Sequence, residues 1–307
     1  MSSDLGPMLL RSLDRQIGLT KRLSAAITDS RHSGYIKHSL QTLLTQRVFQ
    51  IASGYEDGND SQSLRHDPMF RLGADRKPFD PDDALASAAT MSRFEHAATT
   101  RDIYRASQAL VEQFIAGFAQ PPAALVLDMD HSEDAVYGQQ PLAFYNHHYR
   151  STCYLPLFIF DGLSGALVTA VLRPGKRPTG AENAMIMARV LKLIRRHFPD
   201  THILVRGDGH FSTPALMRLC DEMPNTDFLF GLAGNSVLNG LAEPAMQRAR
   251  ALSAKRQARG EDASVKLYDT FDYAAGPWHK PFRVVLKAEV HGAGRQPALR
   301  GDIHAFA

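Results

Sequence analysis

The sequence predicts an α/β fold in which a mixed β-sheet is flanked by helices. Residues 1–120 carry apolar side chains at helical spacing. Residues 121–235 predict three strands, then a helix, a strand, a helix and a strand. Residues 236–292 predict a basic helix and a β-rich segment, and residues 293–307 are typical of neither strand nor helix. Three strands before the first helix of this order indicate a mixed sheet with helices on its faces.

The first 120 residues are predicted to be helical. Apolar residues recur at helical spacing in segments that begin near Met8, Leu40 and Ile103. Residues 55–65, rich in acidic and amide side chains, predict a polar loop between them. Because an apolar stripe usually marks the buried side of a helix, we interpret this region as a helical bundle. DNA binding or dimer contacts by these helices remain the alternative.

The predicted core contains five short apolar strands and two helices, of which the first is the longer. The first strand begins at Ala123 and ends in acidic residues. Further strands are predicted at 154–161, 166–173, 202–206 and 228–231, with helices at 181–197 and 213–220. Asp161 and Gly162 begin the turn between the second and third strands, which predicts a hairpin. After the core, strands are predicted at 265–273 and 282–290.

Two acids, Asp128 and Asp130, stand at the end of the first predicted strand. Side chains alternate along a strand, so these two point to the same side. Their neighbours Val126 and Met129 are apolar, and a carboxylate in such surroundings is costly without a partner. The pattern therefore indicates a bound cation. The alternative is that both acids are solvated residues of a turn.

A further acid, Asp208, ends the fourth predicted strand between Gly207 and Gly209. In a mixed sheet of this order the first and fourth strands can be neighbours, which would bring Asp208 beside Asp128 and Asp130. Clusters of carboxylate oxygens suit Mg²⁺ or Mn²⁺. Two such ions about 4 Å apart activate a water or a 3′-hydroxyl for phosphodiester chemistry. The sequence thus predicts a catalytic, metal-binding site formed by these three aspartates.

Basic side chains are concentrated in the loop after the third strand, in the helix that follows it and in residues 248–259. Such clusters supply affinity for phosphates without reading sequence. For each cluster alone a solvated helix face is the alternative. The predicted DNA-contacting residues are Arg173, Lys176, Arg177, Arg195, Arg196, Arg248, Lys255 and Arg256.

Four histidines lie near the acids or in an aromatic segment. His131 and His210 directly follow acids and are candidate ligands or proton carriers. Because adjacent side chains on a strand point to opposite faces, neither need face the metals. For His147 and His148 a structural role is favoured, since nothing in the sequence fixes their distance from the acids.

The composition narrows the class of protein. The 307 residues are 44% hydrophobic and 22% charged, with a net charge of +3, which is ordinary for a globular protein. The two cysteines are far apart and lack metal-binding spacing, which argues against a zinc site and fits a reducing cytosol. No apolar stretch approaches membrane-spanning length, and the N-terminus lacks a signal-peptide pattern. We therefore expect a cytoplasmic protein.

Long ordered blocks of the sequence resemble a known family. The run LDMDHSEDAVYGQQPLAFYNHHYRSTCYLPLFIFDGLSGALVTAVLRPGKRPTG, followed by ILVRGDGHFSTPALMRLC and DFLFGLAGNSVL, closely resembles bacterial insertion-sequence transposases of the DDE type. More narrowly it is similar to transposase DDE domain group 1, as is the N-terminal QRVFQIASGYEDGNDSQSLRHDPMF. The resemblance extends from about Met8 to Val290.

The resemblance implies an RNase H-like catalytic core with a β-rich insertion. It also implies excision and insertion of double-stranded DNA, by three carboxylates and two divalent metal ions, at the terminal inverted repeats of an element. A homodimer that associates with the nucleoid when bound to DNA is expected. The family's first aspartate falls on Asp128 or Asp130, and its second falls on Asp208.

The third acid of the family, a glutamate on a helix after the insertion, has no match. Glu289 falls on a predicted strand, and Glu243 and Glu261 precede the insertion. Together with a tail that no longer resembles the family, this predicts C-terminal truncation and weak or absent catalysis. The first hypothesis is a transposase, and the second is a DNA-binding remnant that inhibits a full-length copy. A metal-dependent phosphatase or nuclease unrelated to transposition ranks last.

Overall fold

The computed structural model describes residues 5–291 and the backbone of residues 302–306. The chain divides into two compact units, Met1–Ala119 and Gln120–Ala307. The prediction for the tail, residues 293–307, therefore lies outside the described residues except for one short segment of backbone.

The first unit is helical, as the sequence predicts. Three of its helices begin at Ser or Thr caps, Ser39, Ser87 and Thr99, whose hydroxyl oxygens accept hydrogen bonds from backbone N–H groups three residues on. The helices are α1 (Gly6–Ile17), α2 (Leu19–Ala26), α3 (Leu40–Ala52), α4 (Asp60–Leu64), α5 (Pro68–Gly73), α6 (Ala88–His96) and α7 (Thr100–Ala116), with a 3₁₀ turn at Ser33–Tyr35.

Two features of this unit differ from the prediction. Within the predicted polar loop 55–65 the chain forms the short helix α4, whose buried Ser61 hydroxyl donates to Gln50 of α3 at 2.9 Å. On α1 the apolar stripe of Leu9, Leu13 and Ile17 is exposed. Apolar spacing therefore predicted the helix correctly but not which side of it is buried.

The second unit contains the strands. For the strands of the main sheet, the predicted order of three strands, helix, strand, helix and strand is confirmed. The elements are β1 (Ala124–His131), β2 (Asp134–Ala135), β3 (Phe144–Asn146), β4 (Ser151–Tyr154), β5 (Leu157–Asp161), β6 (Leu167–Val171), α8 (Gly180–His197), β7 (His202–Gly207), α9 (Pro214–Glu222), β8 (Thr226–Leu232), α10 (Ser236–Ala258), β9 (Val265–Tyr273), β10 (Phe282–Val290) and β11 (Asp302–Phe306).

The main sheet is mixed, in the order β6-β5-β1-β7-β8-β11-β10-β9. β1, β7 and β8 are parallel, whereas β5 runs antiparallel to both β1 and β6. Counted along the chain, the first five strands of this sheet lie in the order 3-2-1-4-5, with only the second reversed. This arrangement confirms the predicted mixed sheet and is consistent with an RNase H-like fold.

The segment between β1 and β5 forms a second, three-stranded sheet in the order β2-β4-β3, which the sequence did not predict. Its strands have two to four residues, too few for a periodic pattern. The predicted strand 154–161 is accordingly two strands, separated by Leu155 and Pro156. Proline cannot donate a ladder hydrogen bond, which favours a break at this point.

The two strands predicted to form a β-rich insertion continue the main sheet. β9 and β10 pair in register from Val265↔Val290 to Tyr273↔Phe282. β11 lies between β10 and β8 and is antiparallel to both. The strand that joins the hairpin to the core comes from the tail, whose composition gave no strand signal.

The core of the second unit contains one face of β1 and side chains of β7. Leu125, Leu127 and Met129 of β1 are buried, and so are Ile203 and Val205 of β7. The intervening residues of β1 face the other, more accessible side of the sheet. Among the described residues, no helix combines the length and apolar character needed to cross a membrane.

Candidate active site

Asp130 and Asp208 lie at the same end of two neighbouring strands. β1 and β7 are parallel and pair up to Met129↔Gly207, and each aspartate is the next residue. The first and fourth core strands are thus neighbours, as the predicted order of elements allows. An Oδ of Asp208 accepts a hydrogen bond from the backbone N–H of His210 at 2.9 Å, and its side chain is 61% exposed. Both carboxylates therefore remain accessible to solvent and ligands.

Both aspartates line one cavity of about 810 Å³. Most of its other lining residues come from β3 and the loop after it and from the loop before α8. The other residues that line it are His131, Tyr145, Asn146, His147, His148, Tyr149, Leu155, Gly175, Lys176, Arg177, Pro178 and His210. The cavity thus combines two acids with basic, aromatic and imidazole side chains.

Asp128 has a different partner. Nε and Nη2 of Arg206 donate to the two carboxylate oxygens of Asp128, each at 2.6 Å. The two residues are register partners on β1 and β7. The hydrogen bond from Arg206 to Asp128 raises the pKa of the guanidinium. The sequence did not decide which of these two acids is the family's first aspartate. In the structure Asp130 lines the cavity, whereas Asp128 binds Arg206.

His131 lies on the opposite face of β1 from the aspartates but reaches the wall of the cavity. Its ring stacks on Phe211 with centroids 4.9 Å apart and an interplanar angle of 4°. Burial, and next the charge of Arg173, lower the pKa of His131 to about 4, so the imidazole is neutral at pH 7. Its buried Nε2 has no hydrogen-bond partner among the described residues.

The loop after β3 brings side chains to the acids that the sequence did not assign to the site. His147 and His148, for which a structural role was favoured, both line the cavity. The loop is held by Asn146, whose Oδ1 accepts from the backbone N–H groups of His148 and Tyr149 at 3.0 and 3.4 Å. Burial and the charge of Asp130 raise the pKa of Tyr149. No signal in the sequence gave the fold of this segment.

Lys176 and Arg177 are the two predicted DNA contacts that the structure brings to the cavity. Both are exposed, in the loop that precedes α8. The Lys176 ammonium lies over the ring of Phe144, 4.3 Å from its centroid. These cations can meet a polyanion that approaches the two acids.

Arg173, also a predicted DNA contact, is buried, with a side-chain exposure of 4%. Its guanidinium pairs with Glu182 on the first turn of α8 at 2.5 Å. The prediction does not fit this residue, because a buried and paired guanidinium offers no surface to a phosphate. Of the three basic residues in RPGKRP, Lys176 and Arg177 are exposed and Arg173 is buried.

Arg195 differs from the prediction in a similar way. Its guanidinium donates to backbone carbonyls that end α8 and precede β7 and β8, among them Thr201, Pro224 at 2.8 Å and Asn225 at 2.7 Å. Burial lowers its pKa. Arg195 therefore ties loops together rather than presenting its charge to a ligand.

The remaining predicted DNA contacts lie elsewhere on the unit, and none is among the described residues that line the cavity. Arg196 is exposed at the end of α8, and Lys255 is exposed on α10. Arg248 pairs with Asp269 of β9, and Arg256 donates to the Ser264 carbonyl at 2.8 Å. A DNA contact by these four residues stays a prediction.

Two of the three glutamates considered as the third acid have other partners. Glu289 pairs with Lys266 and Lys287, and Glu243 pairs with Arg250. Across residues 5–291, no three His, Cys, Asp or Glu side chains come together as a metal site. Two accessible carboxylates still fit Mg²⁺, which is commonly held by one or two carboxylates together with waters and phosphate oxygens.

Comparison with known proteins gives the family. The profile described as "Transposase DDE domain group 1" matches residues 1–300. The chain belongs to this family. A solved structure titled "Cryo-EM structure of piggyBac transposase synaptic complex with hairpin DNA" is similar at 12% identity and a TM-score of 0.42. That similarity covers 99% of this chain and 61% of the other, so the chain spans about three fifths of that protein. No curated protein matches the chain.

For this member of transposase DDE domain group 1, the geometry distinguishes residues that the sequence treated alike. Asp130 and Asp208 share a cavity, whereas Asp128 is held by an arginine. Lys176 and Arg177 are accessible beside the acids, whereas Arg173 and Arg195 serve the fold.

Proposed function

We propose that this protein is a DNA transposase of an insertion sequence, with Asp130 and Asp208 in its catalytic site. The observation that carries the proposal is that these two carboxylates follow the last paired residues of neighbouring parallel strands and line one cavity. Membership of the DDE transposase family gives the reaction class. The reaction is cleavage of a DNA strand and its transfer to a new site.

Asp130 and Asp208 would hold a divalent cation, Mg²⁺ or Mn²⁺, through their carboxylate oxygens. When bound, such a cation polarises a phosphate oxygen and lowers the pKa of a water or 3′-hydroxyl. The high exposure of Asp208 leaves room for waters and phosphate oxygens to complete the coordination. Asp128 takes no part as a ligand in this proposal, because both of its oxygens accept hydrogen bonds from Arg206.

Lys176 and Arg177 would contact the DNA backbone at the mouth of the cavity. Contacts of this kind orient a duplex and make its binding depend on salt. Recognition of terminal inverted repeats and of target DNA by a homodimer is what the family resemblance implies. The bacterial origin, the cytoplasmic location and the association with the nucleoid remain predictions on the same basis.

A second candidate function is DNA binding without cleavage. The observation that favours it is that no third acid joins Asp130 and Asp208 among the described residues. Removing ligand charge weakens the binding of hard cations, so strand cleavage would be slow or absent. A protein of this kind would occupy element ends and inhibit a full-length transposase.

The test uses the whole chain with radiolabelled element ends. A gel shift measures binding against unrelated DNA of equal length, and strand cleavage is followed in Mg²⁺ and in Mn²⁺. Cleavage that Asp208→Ala abolishes supports the transposase and requires a third acid beyond the two proposed here. Preferential binding without cleavage supports the second candidate. Equal affinity for both DNAs, with hydrolysis of small phosphate esters, contradicts both candidates and supports an unrelated phosphatase.

A further inference from the structure

We infer that Asp128 and Arg206 form a positioning pair, which sets the ends of β1 and β7 so that Asp130 and Asp208 face one cation. Asp128 is then a partner of Arg206 and not a metal ligand. The inference rests on the proposed function, because it concerns the geometry of the same two acids.

The pair occupies one level of the sheet. Asp128 and Arg206 are register partners, and on each strand the proposed ligand follows two residues later. A step of two residues returns a strand to the same face, so the pair lies on the side of the sheet that carries Asp130. The ladder ends at Met129↔Gly207, one residue past the pair. The ion pair is therefore close to the last link between the strands before the acids.

The contact constrains direction as well as distance. Two nitrogens of one guanidinium meet two oxygens of one carboxylate at 2.6 Å each. This two-point arrangement fixes the relative orientation of the side chains more tightly than a single hydrogen bond. The two side chains are 36% and 41% exposed, and a pair so accessible contributes little to global stability. Its effect is expected on local geometry.

The turn between β5 and β6 closes over the pair. A Cβ at Gly162 would lie 2.5 Å from Oδ2 of Asp128 and 2.6 Å from Nη2 of Arg206, so a larger residue there would force the ends of these two side chains to shift. The turn is anchored to β1 at Val126. The backbone N–H of Gly162 donates to the Val126 carbonyl at 2.7 Å, and Asp161 accepts from the Val126 N–H at 3.2 Å.

The opposite face of the sheet links the same two segments. His131 follows Asp130, and its ring stacks on Phe211, three residues after Asp208. Gly207 lacks a Cβ that would lie 2.6 Å from the Phe211 ring. The acid-bearing strand ends are thus tied by an ion pair on one face and by a ring stack on the other. A cation at Asp128 would have to displace a guanidinium from both oxygens.

The experiment measures Mn²⁺ binding to the full chain by electron paramagnetic resonance, without DNA. Arg206→Lys keeps the charge but loses the two-point contact, and it should weaken Mn²⁺ binding roughly tenfold, as loss of a partner that orients a ligand does. The double variant Asp128→Asn with Arg206→Gln keeps the net charge of the pair and should have the same effect. Arg31→Lys is the matched control, because Arg31 makes a two-point pair with Asp29 in the first unit, at 2.8 and 2.7 Å.

Circular dichroism establishes that each variant is folded at the temperature of the titration. Unchanged Mn²⁺ binding in Arg206→Lys would show that the pair does not position the two acids. Tighter Mn²⁺ binding would show that the released Asp128 is itself a ligand. Either result would overturn the inference. The variants Asp130→Asn and Asp208→Asn test the proposed function separately. If neither weakens Mn²⁺ binding, the proposed function fails whatever Arg206→Lys shows. If both do and Arg206→Lys does not, only the positioning role fails.

Discussion

Asp130 and Asp208 each lie one residue beyond Met129 and Gly207, which are the last paired residues of β1 and β7. Parallel strands bring their carboxyl ends to the same edge of a sheet, so the two acids lie at the same edge although they are far apart in the sequence. Seventy-eight positions separate Met129 from Gly207 in the chain.

The basic residues at the cavity mouth should affect DNA binding and not stability. Lys176→Ala and Arg177→Ala should each weaken binding uniformly across DNA sequences and reduce the salt slope by about 1, because each removes one phosphate contact. Fluorescence anisotropy at several salt concentrations measures both. A slope that is unchanged in both variants would show that these exposed cations do not contact DNA.

Arg195, by contrast, should affect stability and not DNA binding. Its guanidinium donates to several carbonyls, including Asn225 at 2.7 Å, so Arg195→Ala should lower the free energy of unfolding by at least about 2 kcal/mol. Urea denaturation measures this loss, and DNA affinity below the unfolding transition should be unchanged. If Arg195→Ala reduces the salt slope of DNA binding as Lys176→Ala does, Arg195 contacts DNA after all.

Gly162 and Gly240 should respond in opposite directions to alanine. A methyl group at Gly162 meets the ends of the Asp128 and Arg206 side chains, so Gly162→Ala should displace this exposed pair and destabilise the second unit by about 0.5–1 kcal/mol. Gly240 lies within α10 with nothing within 4 Å of its Cβ position, so Gly240→Ala should stabilise it by about 0.5–1 kcal/mol. Thermal unfolding compares the two. A neutral Gly162→Ala would mean that the turn does not press on the ion pair.

The stability of the second unit should fall in acid through His131. Burial lowers the pKa of this imidazole from 6.5 to about 4, so between these values the unfolded chain binds a proton that the folded chain does not. The free energy of unfolding therefore decreases as the pH falls from about 6.5 to about 4. His131→Phe keeps a ring against Phe211 and should make this dependence shallower.

Some acid sensitivity should remain in His131→Phe, because burial also lowers the pKa of His38 in the first unit to about 4. Urea denaturation at pH 7 and pH 5 gives the comparison. An identical difference between the two pH values in wild type and His131→Phe would show that His131 is not neutral in the folded protein.

Long elements with a clear period were predictable from the sequence. The strands β9 and β10 have the predicted bounds, and α8 differs from its predicted start at residue 181 by one position. The order of elements allowed β1 and β7 to be neighbours, an arrangement that would bring Asp208 close to the acids of the first strand. These features depend on local pattern and on topology, both of which the sequence carries.

The partners of single charged residues were not predictable. Asp128 and Asp130 look alike in the sequence, and only the register that places Arg206 opposite Asp128 separates them. In the same way, burial against Glu182 removes Arg173 from the surface, while Arg177 four positions on remains accessible. Such differences arise from tertiary contacts between distant segments, which periodicity does not record.

The most direct test of the account is a Mn²⁺ titration of the full chain, followed by electron paramagnetic resonance, with Asp130→Asn and Asp208→Asn beside Asp227→Asn. Asp227 is a half-exposed acid of β8 that pairs with His202 and serves as the matched control. Each of the first two variants should weaken Mn²⁺ binding at least roughly tenfold, because carboxylate charge sets affinity for hard cations, and the control should bind as wild type does. Equal Mn²⁺ affinity in all four proteins would contradict the assignment of Asp130 and Asp208 as the cation ligands.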